Sequence, residues 1–205
     1  ILERNGDERG NYNKMEEQFF PLQQRGGEKD ALKRISDFVR NGQAAVANRS
    51  LADVLGDNSS MISSHLALGA LSPRVVYELA KEGGEKCKWL ISHMEMRDFF
   101  LYHAFKYGNQ LFLKGGQPLI KRNIQWRSPV VGKMVNLHWT KWANGETGLP
   151  LVDAAQKELL ATGYCSNRVR QNMASVLSKD LHIDWRAGAE WFQFLLEDHC
   201  VAANW

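Results

Sequence analysis

The feature that most constrains this chain is a hydrophobic period of helical length that keeps returning along it. Between Trp142 and Trp185, Leu151, Val152, Ala155, Leu159 and Leu160 recur at helical spacing. After a break at Gly163-Tyr164, Val169, Met173, Val176 and Leu177 do so again. This predicts two helices joined by a tight turn, with Gly145 and Gly148 opening the unit. Asn167-Arg168-Val169-Arg170 puts two guanidiniums into the first turn of the second helix, where the helix dipole disfavours cations, so both arginines are expected to have anionic partners.

The same period marks the rest of the chain. Leu32, Ile35, Phe38 and Val39 predict an amphipathic helix between Asp30 and Gly42. Ser72-Pro73 starts another, because proline suits the first helical position, and Gly83-Gly84 stops it. Trp89 to Phe105 is apolar nearly all round, which predicts a mostly buried helix whose Arg97 and Asp98 need partners. Trp191, Phe192, Leu195 and Leu196 mark a last amphipathic helix. Residues 109–141, with Gly115-Gly116, Pro118 and Pro129, predict loops joining short helices. At least seven helices and no strand pattern make the class all-α. Residues 1–27 are polar and read as an extended lead-in or linker before a helical domain over 28–205.

Composition narrows the function classes. A net charge of +3 permits a polyanionic partner without arguing for one. No apolar run approaches the length of a membrane span and no signal peptide opens the chain, so no membrane association is expected. The three cysteines, Cys87, Cys165 and Cys200, are odd in number and lack C-x-x-C spacing, pointing to an intracellular, reducing compartment. The histidines show no ligand spacing with them, so no metal site is expected. No dinucleotide-binding glycine fingerprint or P-loop occurs. Seven tryptophans are many for this length, and core packing is the plain expectation for them.

Two stretches carry a more specific signal. Trp142 to Ala154 reads W-x-x-G-x-T-G-x-P-x-V-D-A and is followed by Asn167-Arg168-x-Arg170. Ser59-Ser60-Met61-Ile62-Ser63 leads into Leu66-Ala67-Leu68-Gly69-Ala70-Leu71-Ser72-Pro73-Arg74. From their residue types alone these serines either cap a helix or cradle a phosphate at its start. Together with Gly26-Gly27-Glu28, Ala31-Leu32 and Arg97-Asp98-Phe99-Phe100, these segments resemble the flavin-binding helical domain of the photolyase and cryptochrome family, in its DASH-type pattern. The resemblance covers about residue 26 to 205. It implies noncovalent FAD, with Ser59, Ser60, Ser63 and Arg97 on the diphosphate and Asn167 lining the pocket. An Arg170–Asp198 ion pair would lie beside the ring and Asn204 near N5. It also implies that the family's α/β antenna domain is missing upstream.

Departures from the pattern accompany it. Ala45 stands for a tyrosine; Met61, Ser64 and His65 stand for lysine, proline and tryptophan; Cys200 stands for a second acidic residue near the ring. The glutamate and tryptophan with which photolyases contact a flipped pyrimidine dimer are His93 and Met96, so no dimer repair and no catalytic residue is expected. From its setting alone, His93 reads as a satisfied core histidine. Gln171 follows the DASH pattern. Of the three tryptophans that relay electrons in the family, Trp185 matches the middle one and Trp126 loosely the distal one. The proximal one would lie past Trp205, which is a candidate substitute that no sequence feature singles out. The expected function is flavin binding with a light- or redox-sensing role. Two alternatives remain open: a helical interaction module without cofactor, docking a protein partner, or a weak nucleic-acid binder using Lys121, Arg122, Arg127, Lys133 and Lys141.

Overall fold

The computed structural model describes residues 26–41, 59–115, 124–129 and 133–205. Nine α-helices lie among them. They are α1 (Glu28–Arg40), α2 (Ser63–Ala67), α3 (Pro73–Glu82), α4 (Lys88–Tyr107), α5 (Lys133–Asn144), α6 (Pro150–Thr162), α7 (Asn167–Ser175), α8 (Trp185–Leu195) and α9 (Val201–Asn204). Among the described residues the β-type pairing is one parallel bridge, Arg127 to Ile183. The all-α expectation holds. The lead-in assigned to residues 1–27 lies almost wholly outside the described residues, as does Ala45.

Two apolar cores organise the helices. The first is built by Ala31, Ile35 and Phe38 of α1 with Ile62, Leu66, Leu71, Val76, Ala80, Cys87 and Leu90. The second joins Trp142, Val152, Ala155, Leu159, Val169, Met173, Leu177, Ile183, Phe192 and Leu196. The predicted helical periods account for both, because residues three and four apart share one face. In α6 the apolar set is wider than the buried face: Leu151 and Leu160 are 48% and 44% exposed, while Val152, Ala155 and Leu159 are buried. Residues 109–141 hold a short 3₁₀ turn, Gly108–Phe112, and the three-turn helix α5, where only short helices were expected.

Three expectations are corrected. Helix α4 is not mostly buried: Leu90 is its one fully covered residue, and Met96, Phe99, Tyr102 and Phe105 are 53%, 62%, 75% and 90% exposed. It packs on α3 and on α9, and an apolar sequence cannot bury faces that no neighbour covers. His93 on this helix is exposed, with its ring edge-on to Trp89 at 5.1 Å, and is no core histidine. Of the seven tryptophans, Trp142 is fully buried and Trp89, Trp139 and Trp191 pack part-buried against the two cores, so core packing accounts for four, while Trp126, Trp185 and Trp205 are part-exposed outside them.

Trp142 anchors the second core. Its ring stacks on Trp139 at 5.3 Å and its indole N–H donates to the Met173 carbonyl at 3.0 Å, tying α5 to α7. The loop that follows is closed by Asp153 in the first turn of α6. Its carboxylate accepts from the Thr147 N–H and the Gly148 N–H, both at 2.8 Å, and from the Thr147 hydroxyl. Gly145 sits at φ +66°, where a β-carbon would lie 2.7 Å from the Asp153 carbonyl oxygen. Most of the W-x-x-G-x-T-G-x-P-x-V-D-A segment is therefore a structural clasp that fixes where α6 starts.

Gly145→Ala should cost at least about 2 kcal/mol in urea unfolding, since the added carbon combines left-handed backbone strain with a backbone clash. The Asp153 clasp predicts a pH signature. Its slight burial disfavours the carboxylate, but the hydrogen bonds from Thr147 and Gly148 outweigh this and hold its pKa below the ordinary value. The stabilisation is then complete above the unfolded aspartate pKa of about 3.9 and is lost as pH falls through the lower native one. Asp153→Asn should be less stable by about 1 kcal/mol at neutral pH. The gap should narrow in unfolding curves taken below about pH 4.

Candidate functional site

The two cores meet along a polar seam. Helix α9 packs on α4, the Ser64 hydroxyl donates to Glu197 at 2.6 Å, and Trp205 meets Phe112 edge-on at 4.8 Å. Into this seam project the arginine and aspartate that the sequence pairs. Arg170 leaves the first turn of α7 and forms a two-pronged ion pair with Asp198, with nitrogen–oxygen distances of 2.9 and 3.0 Å. The side chains are 13% and 4% exposed. Arg170 also donates from Nε to the Cys165 carbonyl at 2.7 Å and lies 5.3 Å from the centre of the Tyr164 ring. Burial opposes its charge, but Asp198 overrides that and raises the guanidinium pKa further. Arg168, by contrast, is exposed and donates to the Gln171 side chain at 3.0 Å. Being in water, it needs no anion, so the expectation of anionic partners holds for one arginine of the two.

Burial disfavours the charged form of the groups around the pair. Burial pushes the Cys165 thiol up to about 11 despite the nearby Arg170, so it stays protonated and unreactive at neutral pH. Burial likewise raises Tyr164 and Glu158 above their usual values, with Arg170 opposing both shifts. His199, next in the chain to Asp198, is pushed down by burial, with Asp198 opposing. Its Nε2 is one of two buried side-chain atoms that lack a hydrogen-bond partner among the described residues; the other is Gln156 Nε2.

The serine stretch lies against the same seam. Ser63 opens the short helix α2, and Ser59 and Ser60 precede it; none caps the helix through its side chain. Arg34 of α1 clamps the stretch, donating to the Ser59 carbonyl at 2.6 Å and the Ser60 carbonyl at 3.0 Å. Met61 between them and the helix is buried yet left-handed, at φ +52°, an arrangement that costs on the order of 1 kcal/mol or more and needs such a clamp. The Ser59 side chain also interacts with the Tyr164 phenol. Sequence reasoning missed Arg34, Tyr164 and Glu197. Arg34 lies between the apolar positions of α1, Tyr164 falls in the break between two helices, and Glu197 precedes Asp198, and none of them carries a local signal of its role.

The other expected residues are placed less tightly. Arg97 lies on α4 with Asp98 as its ion-pair partner at 3.5 Å. Asn167 is exposed at the start of α7. Asn204 is half-buried on α9, and its side-chain oxygen accepts from the Cys200 N–H at 2.8 Å. Trp185 sits at the start of α8 with its indole N–H on the Lys114 carbonyl at 3.3 Å, and Trp205 lies edge-on to it at 6.0 Å. The Arg127–Ile183 bridge sets the segments of Trp126 and Trp185 side by side. Of the basic residues, Lys121, Arg122 and the Lys133 side chain lie outside the described residues, and Arg127 and Lys141 are exposed. Among the described residues no cluster of three or more potential metal ligands occurs, and no helix is long and apolar enough to cross a membrane.

A buried pair that is well paired is costly to halve. Arg170→Ala or Asp198→Ala should each lose about 3–5 kcal/mol of stability, because each strands the opposite charge. The double variant Arg170→Met, Asp198→Leu should recover most of the loss in the same unfolding assay.

Comparison with known proteins adds the family. Residues 89–205 match the FAD binding domain of DNA photolyase. The chain is 43% identical over 188 residues to a cryptochrome DASH of Synechocystis sp., covering 88% of this chain and 37% of that protein. It is 40% identical over 189 residues to the cryptochrome DASH of Danio rerio, covering 88% and 35%. The solved Synechocystis cryptochrome superposes with a TM-score of 0.80 at 41% identity, over 90% of this chain and 38% of that one. A class III photolyase from Agrobacterium tumefaciens gives 0.78 at 28% identity, over 90% and 38%. The chain thus spans little more than a third of the length of these relatives. It belongs to the photolyase and cryptochrome family, and the stretch from residue 89 to 205 is that family's FAD-binding domain.

Proposed function

We propose that this chain holds FAD noncovalently along the seam between its two cores and serves light or redox sensing, not dimer repair. The observation that carries the reading is the Arg170–Asp198 fork, a fully formed ion pair at the place where the helices of both cores converge. Ser59, Ser60, Ser63 and Arg97 would hold the diphosphate, Asn167 would line the pocket, and Asn204 would lie near N5. The unpaired Nε2 of His199 gives the seam an unmet hydrogen-bonding valence, which fits a polar guest. When bound, the flavin would supply one- and two-electron redox chemistry and absorption of blue light. The protein's part is to orient the ring beside a fixed charge pair and to keep Cys165 and Tyr164 protonated around it. Trp185 and Trp126 would pass electrons, with Trp205 edge-on to Trp185. The exposed, polar His93 and flexible Met96 offer no acidic or rigid stacking contact for a flipped base, which supports the absence of repair. The three free thiols support an intracellular, reducing setting.

A second reading, a helical module docking a protein partner without cofactor, has one observation in its favour. The Glu197 carboxylate is hydrogen-bonded to Ser64, beside the serine stretch, and a fixed negative charge there opposes a diphosphate. Arg34, bonded to the Ser59 and Ser60 carbonyls, puts a positive charge on the same stretch.

The absorption spectrum of the purified chain, after adding FAD and gel filtration, separates the two. Blue and near-ultraviolet bands should co-elute with the protein, and Glu197→Gln should strengthen retention severalfold. A folded chain that retains no flavin after reconstitution would overturn the cofactor reading and leave the scaffold.

A further inference from the structure

Away from the seam, α5 and α8 form a corner of two indoles. Trp139 and Trp191 lie 6.0 Å apart with their planes at 80°. Neither wall is free to collapse. Trp139 is backed by the buried Trp142, stacked at 5.3 Å, and Trp142 is itself tied to the Met173 carbonyl. Trp191 turns its indole N–H inward to the side-chain oxygen of Gln156 at 3.2 Å, and Gln156 is completely buried. Phe194, 81% exposed, stands beside this corner, and Pro129 closes one edge. The cavity they bound measures about 530 Å³, with Glu190 and Asn136 as its polar lining.

The chemistry of the lining selects its guest. Three aromatic rings offer negative faces, and Glu190 adds a full negative charge, so the guest is a cation. Arg186, one turn before Glu190, is the nearest competing cation on that helix. It spends its guanidinium on Asp184 at 2.7 and 3.1 Å and acts on Glu190 only through space. The aromatic walls offer no acceptors for an ammonium's N–H groups, and beside Glu190 and Asn136 alone such a cation would leave part of its donor set unmet, so the favoured cation is one without N–H groups. We propose that the Trp139–Trp191 corner binds a methylated ammonium group carried on an aliphatic chain, as in a choline or a trimethylated lysine side chain.

The test is titration of the intact chain with choline, with Nε-trimethyllysine amide and with the neutral isostere 3,3-dimethylbutanol. Indole N–H resonances and tryptophan fluorescence follow binding. At least one cation should shift the Trp139 and Trp191 resonances saturably, and the isostere should bind about tenfold more weakly. Glu190→Gln and Phe194→Ala, both at exposed positions, should each weaken the cation severalfold without altering the fold. Preference for choline or for trimethyllysine assigns the guest to a small molecule or headgroup, or to a modified peptide. Equal binding of the isostere would overturn the proposal. So would the absence of saturation at high millimolar cation, or shifts confined to other tryptophans.

Discussion

A guanidinium taken out of water needs an anion held in place by something else. Asp198 meets that requirement only because the segment carrying it is pinned from both sides. The Glu197 N–H donates to the Gly163 carbonyl at 2.9 Å, and the Leu196 N–H to Phe192 at 2.9 Å. Gly163 in turn ends α6 in a left-handed conformation at φ +71°. The ion pair therefore depends on how α6 stops, and α7 and the last turn of the chain depend on the ion pair. Its net contribution to stability is modest, since desolvation offsets most of the attraction. What it supplies is register between α7 and the segment after α8.

The two cores divide the work. Each is an ordinary apolar cluster whose helices could be exchanged for others of similar volume. The seam is different, because it is made of charges and hydroxyls whose geometry matters. Arg34 reaches out of the first core to hold the serine stretch, and Ser64 and Glu197 bridge to the second. Features that only make sense as positioning collect there: a left-handed Met61, an unpaired His199 nitrogen and a thiol kept protonated. Departures from local rules occur elsewhere too, at Gln156 Nε2 and at left-handed His182, but three of them gather in the seam, and such a gathering is expected at a functional site.

Much of this was legible in the sequence because helical period and caps are local signals. The period located α1 and α6 to α8, and Ser72-Pro73 and Gly83-Gly84 marked the ends of α3. The Arg170–Asp198 pairing came from resemblance, since nothing in a list of residues tells which carboxylate meets an arginine 28 positions away. The exposure of α4 was misread because an apolar stripe records what a helix could bury, and not whether a neighbour arrives to cover it. Arg34, Tyr164 and Glu197 escaped for a related reason: each is an unremarkable residue in its own helix or turn and gains its role from a distant partner.

The spread of these contacts along the chain also orders the assembly of the molecule. The Asp153 clasp closes over six residues and the Arg170–Asp198 fork over 28, whereas Ser64 and Glu197 are 133 apart. Loop-closure entropy rises with the logarithm of that separation, about 0.6 kcal/mol for each doubling. The clasp and the α6–α7 turn are thus the cheap early closures, and the second core can gather around Trp142 without help from the first. By the same measure the Ser64–Glu197 bridge across the seam is the costliest closure and comes last, onto cores that already hold its partners in register. The surface with the most exacting geometry is built on supports that are already rigid.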